Sequence, residues 1–318
     1  MALLSRRSLL FTSLAATAAA APGKKSRREI IAAMEQVMGP WPAQKARGAV
    51  RVEVVEEQDG DKFLRRKIRF ESEPGTMVPA HLFLPKAARG AVPAVLCLHQ
   101  TTRFGKDEPA GLGGLANLHY ARELAERGFV TLAPDYCRFG EYKIDPYKLG
   151  YASATMKGIF DHTRAVDLLQ SMREVKRGHV GAIGHSLGGH NSLFLAAWDK
   201  RIRAVASSCG FTAFAKYYGG NLKGWSHEGY MPRIASQFGM SAARMPFEFS
   251  DVLRLILPRK IFVYAPLGDA NFEHTGVVDA INEAGGASRV VLRQPHGTHD
   301  FPAQYREEAY GHFARWLA

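Results

Sequence analysis

The sequence predicts an α/β protein in which a mainly parallel central sheet carries helices on both faces. Short apolar runs alternate with longer stretches of helical periodicity along most of the chain. The run 92–98 is apolar throughout, which is typical of a strand that is buried on both faces. Ahead of it lie three strand-like runs, which predict an antiparallel edge to the same sheet.

The predicted elements follow one another in a regular order. The first helix is expected at 26–38 and ends before Gly39-Pro40-Trp41-Pro42. The predicted strands are 51–57, 63–70, 78–84, 92–98, 129–133, 179–184, 204–206, 260–265 and 290–292. The later helices are predicted at 114–127, 150–174, 187–198, 271–284 and 302–317.

Residues 211–257 interrupt this alternation and are rich in aromatic side chains. We expect them to form a small helical cap insertion over the mouth of the site, because such a cap lines a pocket and excludes water. Trp225, His227 and Tyr230 are the expected substrate-binding residues of this cap. The alternative is that the aromatic side chains serve only ordinary helical packing.

Residues 1–21 have the order of an export signal peptide. Ser5-Arg6-Arg7-Ser8-Leu9-Leu10 has a twin-arginine form, and the apolar run behind it ends in small residues at Ala18–Ala21. This run is too short to span a membrane as a helix. We therefore expect export to the periplasm or the extracellular space, with residues 22–318 as one domain. The alternative is an apolar N-terminal helix that is retained.

Composition limits the classes of function. The chain has 318 residues, of which 46% are hydrophobic and 23% are charged, as expected for a soluble globular protein with a large core. The net charge of +12 is scattered, and no basic motif with interleaved aromatic residues indicates nucleic-acid binding. No stable membrane insertion is expected. Three cysteines, Cys97, Cys137 and Cys209, form no zinc-type cluster.

The strongest motif is Gly184-His185-Ser186-Leu187-Gly188, which lies between the strand 179–184 and the helix 187–198. A Gly-x-Ser-x-Gly sequence at a strand-to-helix turn is the pattern of a nucleophile elbow. The turn holds the serine in a strained conformation and exposes its hydroxyl. Ser186 is therefore the predicted nucleophile, and the Leu187 N–H at the helix N-terminus is the predicted oxyanion donor.

A serine nucleophile needs a base, and the base needs an acid that orients it. The acid is expected in the loop after the strand 260–265, where Asp269 follows the carboxyl end of the strand. An N-cap role for the helix 271–284 is the alternative for Asp269. Glu273 and Asp279 are rival acids, although both fall in the predicted helix.

The loop after the strand 290–292 contains two histidines. His299 precedes an acidic residue, an aromatic residue and the last helix, and it is the predicted base; His296 is the alternative. Their spacing could suggest a metal site, but no third ligand cluster accompanies them, and no metal is predicted.

The second oxyanion donor is expected in the loop after the strand 92–98. That loop reads His99-Gln100-Thr101-Thr102, and the backbone N–H of Thr101 is the predicted donor. The Gln100 N–H is the alternative.

Together, these motifs resemble the α/β-hydrolase superfamily, in particular its dienelactone-hydrolase and prolyl-oligopeptidase-like branch. The chain is most similar to bacterial acetyl-xylan-esterase-like hydrolases. Further matching motifs are Gly105-Lys106-Asp107-Glu108, Ala133-Pro134-Asp135-Tyr136, Ala265-Pro266-Leu267 and His299-Asp300-Phe301-Pro302. The resemblance covers roughly residues 60 to 318 and implies the α/β-hydrolase fold and no cofactor. It also implies that the strands of Cys97 and Cys209 flank the nucleophile strand, roughly 9–10 Å apart, so the cysteines should stay unpaired.

The predicted function is serine-dependent hydrolysis of carboxylic esters through an acyl-enzyme, on short-acyl esters such as acetylated carbohydrate. The expected partner is a small-molecule or oligosaccharide ester. Three alternatives remain open: a prolyl-oligopeptidase-like peptidase, a dienelactone-hydrolase-like enzyme, and a non-catalytic binding protein with the same fold. The sequence makes no prediction of the oligomeric state.

Overall fold

A computed structural model of the chain describes residues 25–43 and 48–318. Its centre is a mixed sheet with the order β1-β2-β3-β5-β4-β6-β7-β8-β9. The strands are β1 (Val52–Asp59), β2 (Phe63–Glu73), β3 (Thr76–Pro85), β4 (Val92–Leu98), β5 (Val130–Pro134), β6 (Val175–His185), β7 (Ile202–Ser208), β8 (Lys260–Tyr264) and β9 (Val290–Arg293).

The sheet divides into an antiparallel edge and a parallel body. β1, β2 and β3 pair antiparallel with one another, and β3 also pairs antiparallel with β5. From β5 to β9 in the sheet order, every neighbouring pair is parallel. The carboxyl ends of these parallel strands therefore meet at one edge, where an α/β sheet places its functional loops. The predicted α/β fold is confirmed.

Helices cover the sheet. They are α1 (Arg27–Met38), α2 (Tyr120–Ala125), α3 (Ala154–Ser171), α4 (Leu187–Trp198), α5 (Arg233–Ser236), α6 (Phe249–Ile256), α7 (His274–Glu283) and α8 (Ala303–Trp316). α1 begins with a capping box between Ser26 and Glu29, which satisfies two backbone N–H groups that would otherwise have no partner. α2 is shorter than the predicted helix 114–127, because residues 116–118 form a separate 3₁₀ turn.

The ends of the elements differ from the predicted bounds for local reasons. α3 begins four residues later than predicted, because the Ser153 hydroxyl accepts the Met156 N–H and caps the helix there. β6 begins four residues earlier than predicted and includes Lys176 and Arg177, both exposed on the strand. Polar residues at the end of a strand interrupt its apolar pattern, so the sequence alone does not show where the strand begins.

Two arginines hold the C-terminal end of α4. The Arg259 guanidinium donates to the carbonyl oxygens of Ala196 at 2.7 Å and Asp199 at 3.2 Å. Arg27 donates to the Ala197 carbonyl oxygen at 2.7 Å. Burial lowers the pKa of Arg259 to about 10, and the charge of Arg27 acts in the same direction, yet the group stays protonated near neutral pH. The last carbonyl groups of the helix thus have cationic partners.

The segment 211–247, which we call the covering segment, contains few regular elements. It includes short 3₁₀ turns and the single-turn helix α5, so it is less helical than predicted. The predicted insertion extended to residue 257, but Phe249–Ile256 is α6. One face of α6 packs against α4 through stacked contacts of Phe249 with Phe194, at a centroid distance of 5.7 Å.

The cysteines occupy the expected places. β4 and β7 lie on opposite sides of β6, and the thiols of Cys97, Cys137 and Cys209 are buried and unpaired. The predicted export signal at 1–21 lies outside the described residues. Among the residues that the structure does describe, no helix is both long and apolar enough to cross a bilayer.

Candidate active site

Ser186 lies at the turn between β6 and α4 with φ 51° and ψ −115°, a conformation that non-glycine residues rarely adopt. Its backbone N–H donates to the Ser208 carbonyl oxygen at 2.9 Å, which ties the turn to β7. A Cβ atom on Gly184 would overlap the backbone of Gly188, and one on Gly188 would overlap the Leu98 carbonyl. Only glycine permits this close approach of strand and helix, as the nucleophile-elbow pattern predicts.

The structure brings Asp269 and His299 together from the loops after β8 and β9. His299 Nδ1 lies 3.0 Å from both carboxylate oxygens of Asp269. Oδ1 also accepts the backbone N–H groups of Asn271 at 2.8 Å and Phe272 at 3.2 Å. The Asp269 side chain is 1% exposed, whereas that of His299 is 21% exposed. A buried acid therefore holds an accessible imidazole, the relation that orients a general base.

The electrostatics keep Asp269 ionised. Burial raises the pKa of its carboxyl group, but the hydrogen bonds from His299, Asn271 and Phe272 outweigh it and lower the pKa below its usual value. His185 packs against His299 with a centroid distance of 4.6 Å. Burial, with a smaller contribution from the charge of His299, lowers the pKa of His185 to about 3. His185 is thus a neutral neighbour of the predicted base.

His99 fixes the peptide that contains the predicted second oxyanion donor. The Tyr136 N–H donates to His99 Nε2 at 2.9 Å, so the ring proton is on Nδ1, which donates to the Gln100 carbonyl oxygen at 2.6 Å. In a trans peptide the C=O and the next N–H point in opposite directions. The Thr101 N–H therefore points away from His99. Burial lowers the pKa of His99, which keeps this neutral tautomer.

Ser186 and His299 line the same cavity, which has a volume of about 260 Å³. Its walls combine polar groups with aromatic rings from the covering segment. The lining residues are Gln100, Thr101, Ser186, His190, Tyr217, Gly224, Trp225, Tyr230, Asn271, Phe272 and His299. Leu187 is the first residue of α4, so its N–H has no partner within the helix and is available at the elbow.

The three predicted substrate-binding residues take different places. Trp225 and Tyr230 line the catalytic cavity, and the Tyr230 hydroxyl lies 2.6 Å from Thr101 Oγ1. His227 is exposed and lines a neighbouring cavity instead. Trp225 also packs against His190, with a centroid distance of 4.7 Å. The aromatic side chains of the covering segment thus both pack and line the pocket.

A polar network anchors the loop of His299. The next residue, Asp300, accepts a hydrogen bond from Asn117 Nδ2 at 2.7 Å. Arg306 donates to Asn117 Oδ1 at 3.0 Å and forms two hydrogen bonds with the Glu123 carboxylate, at 2.9 and 2.8 Å. Arg306 is buried, and its bidentate pair with Glu123 positions Asn117, which in turn binds Asp300 in the loop of His299.

The alternative site residues lie elsewhere. His296 and Asp279 are exposed, and Glu273 accepts the Thr275 N–H as the N-cap of α7. Asp269 therefore does not cap that helix. Within the described ranges, Cys209, Asp269 and His299 have potential metal-ligand atoms within 4.8 Å of one another. Burial and the Asp269 charge raise the pKa of the Cys209 thiol well above its usual value.

Sequence reasoning did not assign roles to His99, His185 or His190. The first two are visible in the motifs His99-Gln100 and Gly184-His185-Ser186, but their contacts depend on neighbouring strands. His190 follows the elbow on α4, where its ring lines the cavity. A histidine in a motif reveals its function only when the partner of each ring nitrogen is known.

The mostly parallel sheet with helices against it is the α/β-hydrolase fold. Residues 78–222 match the dienelactone hydrolase family. This confirms the resemblance inferred from the motifs.

Among curated proteins, PA2218 of Pseudomonas aeruginosa is 35% identical over 150 residues, which is 46% of this chain and 37% of that relative's length. YtaP of Bacillus subtilis is 25% identical over 293 residues, covering 85% of this chain and 94% of YtaP. The match with PA2218 thus spans little more than a third of that protein.

Solved structures with the same fold include two esterases. A glucuronoyl esterase from Solibacter usitatus has a TM-score of 0.72 at 20% identity, with 92% of each chain covered. An acetyl xylan esterase from Paenibacillus sp. R4 has a TM-score of 0.67 at 17% identity, covering 91% of this chain and 94% of that one. At these identities the likeness establishes the fold.

Proposed function

We propose that this protein hydrolyses short-acyl esters of polar alcohols, with acetylated carbohydrate as the foremost substrate, through Ser186, His299 and Asp269. The observation that carries the proposal is the pairing of His299 with the buried Asp269 in the cavity that also exposes Ser186. A base that is oriented by an acid beside a strained serine is the arrangement that activates a hydroxyl nucleophile.

In the first half of the reaction, His299 Nε2 takes the proton of the Ser186 hydroxyl while Oγ attacks the ester carbonyl carbon. The negative charge that develops on the carbonyl oxygen is stabilised by the N–H groups of Leu187 and Thr101. The tetrahedral intermediate collapses, the bond to the alcohol oxygen breaks, and His299 gives its proton to the departing alcohol. An acyl-serine remains.

In the second half, a water molecule replaces the alcohol. His299 takes a proton from the water as its oxygen attacks the acyl carbon, and the same two N–H groups hold the new oxyanion. Collapse of this intermediate releases the carboxylic acid and returns the proton to Ser186. Asp269 stays ionised throughout and stabilises the imidazolium form of His299.

The cavity supports the choice of substrate. Its volume of about 260 Å³ is small, and rings with polar tips, including Tyr217, Trp225 and Tyr230, form one wall. Such rings suit a hydroxylated ligand, whereas a long acyl chain needs a continuous aliphatic lining. The names of the structural neighbours, acetyl xylan esterase and glucuronoyl esterase, are consistent with a sugar ester. We also propose export of the protein, on the basis of the sequence at 1–21.

The test combines covalent labelling with turnover. A fluorophosphonate probe should label the protein at one site, and Ser186→Ala should abolish both labelling and hydrolysis of 4-nitrophenyl acetate. Ser236→Ala, which alters an exposed serine of α5, is the matched control and should retain both. Labelling that persists in Ser186→Ala would reject the nucleophile.

A substrate series tests the acyl preference. Rates on nitrophenyl esters should fall steeply beyond butyrate, and acetate should be released from acetylated xylo-oligosaccharide. A maximum at octanoate without release of acetate would reject the proposed substrate class.

A further inference from the structure

A second cavity adjoins the catalytic one. Its volume is about 740 Å³, and the two cavities share the walls formed by Tyr217 and Gly224. It is open to solvent and lies between turns of the covering segment. The lining residues are Tyr217, Tyr218, Asn221, Lys223, Gly224, Ser226, His227 and Met240. We call it the outer cavity.

Tyr218 is an exposed aromatic ring that is nevertheless held in place. The residue is 56% exposed, yet its hydroxyl donates to Asn271 Oδ1 at 2.6 Å. The ring also meets Tyr217 edge to face, with a centroid distance of 4.8 Å. A ring fixed at its hydroxyl and along one side offers its remaining surface to a ligand without first losing rotamer freedom.

Hydrogen-bonding groups accompany this ring. The Gly229 N–H donates to His227 Nδ1 at 3.0 Å, so the exposed imidazole carries its proton on Nε2 and is a donor. Partial burial of the ring and the charge of Arg138 lower the pKa of His227, which favours this neutral form. Lys223 is exposed and forms no ion pair within residues 25–43 and 48–318. An aromatic face beside free polar groups matches the apolar faces and hydroxyl edges of a sugar ring.

Two of the five non-glycine residues with positive φ in the described chain lie at the outer cavity. Tyr218, at φ 44°, and Met240, at φ 54°, both line the outer cavity. Ser186 is another non-glycine residue with positive φ in the described chain, and it lies at the nucleophile elbow. Strained residues persist where the surrounding structure holds them, and they cluster at functional sites.

We propose that the outer cavity is a saccharide subsite, in which Tyr218 stacks on a sugar ring adjacent to the esterified one. This inference rests on the proposed function, because it assigns the acyl group and the esterified sugar to the catalytic cavity and the next sugar to the outer cavity. The substrate is therefore an esterified oligosaccharide of at least two sugars.

The experiment compares Tyr218→Ala with Tyr218→Phe on 4-nitrophenyl acetate and on acetylated xylotetraose. Tyr218→Ala should lower the ratio of kcat/KM on the oligosaccharide to kcat/KM on the small ester by about tenfold, mostly through KM. Tyr218→Phe keeps the stacking face and should restore most of that ratio. Calorimetric titration in the Ser186→Ala background should show the matching loss of affinity for acetylated xylotetraose when Tyr218→Ala is added.

The outcomes separate the two proposals. An unchanged ratio in Tyr218→Ala, or equal affinity of Ser186→Ala for acetylated xylose and acetylated xylotetraose, overturns the subsite. If the proposed function is wrong, the result is different: the wild-type protein does not hydrolyse 4-nitrophenyl acetate. The titration does not depend on turnover and decides the subsite in either case.

Discussion

The loops that carry Ser186, Asp269 and His299 are held differently from the covering segment above them. Backbone hydrogen bonds join the loops to the sheet and to one another, such as Ser186 N–H to Ser208 and Gly268 N–H to Gly297, both at 2.9 Å. The covering segment also has backbone hydrogen bonds to the rest of the chain, such as Ala213 N–H to the Gly276 carbonyl oxygen at 3.2 Å, but much of its packing is between aromatic side chains. The loops should therefore tolerate changes in the covering segment, whereas the covering segment depends on individual side chains for its position.

The largest effect is expected for Asp269→Asn. The substitution removes the charge that orients and stabilises the His299 imidazole, so kcat on 4-nitrophenyl acetate should fall roughly 10³–10⁴-fold. Stability should change little, because the loop keeps its backbone contacts. His296→Ala is the control and should retain kcat within a few-fold. If His296→Ala were the more damaging change, the assignment of His299 as the base would be wrong.

The next effect concerns the stability of the covering segment. Trp225 is 2% exposed and packs against Phe214, Tyr230 and Phe249. Trp225→Ala should lower the free energy of unfolding by about 3 kcal/mol, because it leaves a cavity among these rings. His227→Ala, a more exposed change two residues away, should lower it by only about 1 kcal/mol, the contribution of the lost hydrogen bond from the Gly229 N–H. Urea unfolding measures both, and equal losses would contradict the proposed difference in packing.

The smallest expected effect concerns His99, whose ring sets the orientation of the peptide between Gln100 and Thr101. His99→Phe removes the hydrogen bond to the Gln100 carbonyl, so kcat should fall by about 10–100-fold with a smaller change in KM. His162→Phe replaces another fully buried histidine, whose pKa burial lowers to about 3, and should change stability rather than kcat. Equal kcat values in the two variants would show that His99 has only a packing role.

The difference between the catalytic loops and the covering segment also explains which features could be predicted from the sequence. Ser186, Asp269 and His299 each follow a strand of the parallel body, so the strand pattern alone predicted that they lie at one edge. The structure brings Asp269 and His299 into contact, as expected for that edge. Their catalytic roles stay predictions that the experiments above address.

The sequence could not predict contacts that depend on three-dimensional packing. The hydrogen bond from Tyr136 to His99 joins loops 37 residues apart, and no local pattern encodes it. The sequence also could not predict which aromatic residues line the catalytic cavity and which line the outer cavity. Trp225 and His227, for example, are only two positions apart but line different cavities. The covering segment lacks long regular elements, so its aromatic residues have no period that assigns them to a face.

The partners of α4 have a consequence for the electric field at the nucleophile. An α-helix carries about half a positive charge at its N-terminus and half a negative charge at its C-terminus. The guanidinium groups of Arg27 and Arg259 bind the last carbonyl groups of α4 and oppose its negative end. The partial positive charge at the N-terminus of α4, which faces Ser186, is then not balanced by an equal partial negative charge at its C-terminus. In the proposed reaction, two cations at the far end of the same helix would therefore contribute to stabilising an anionic intermediate on Ser186.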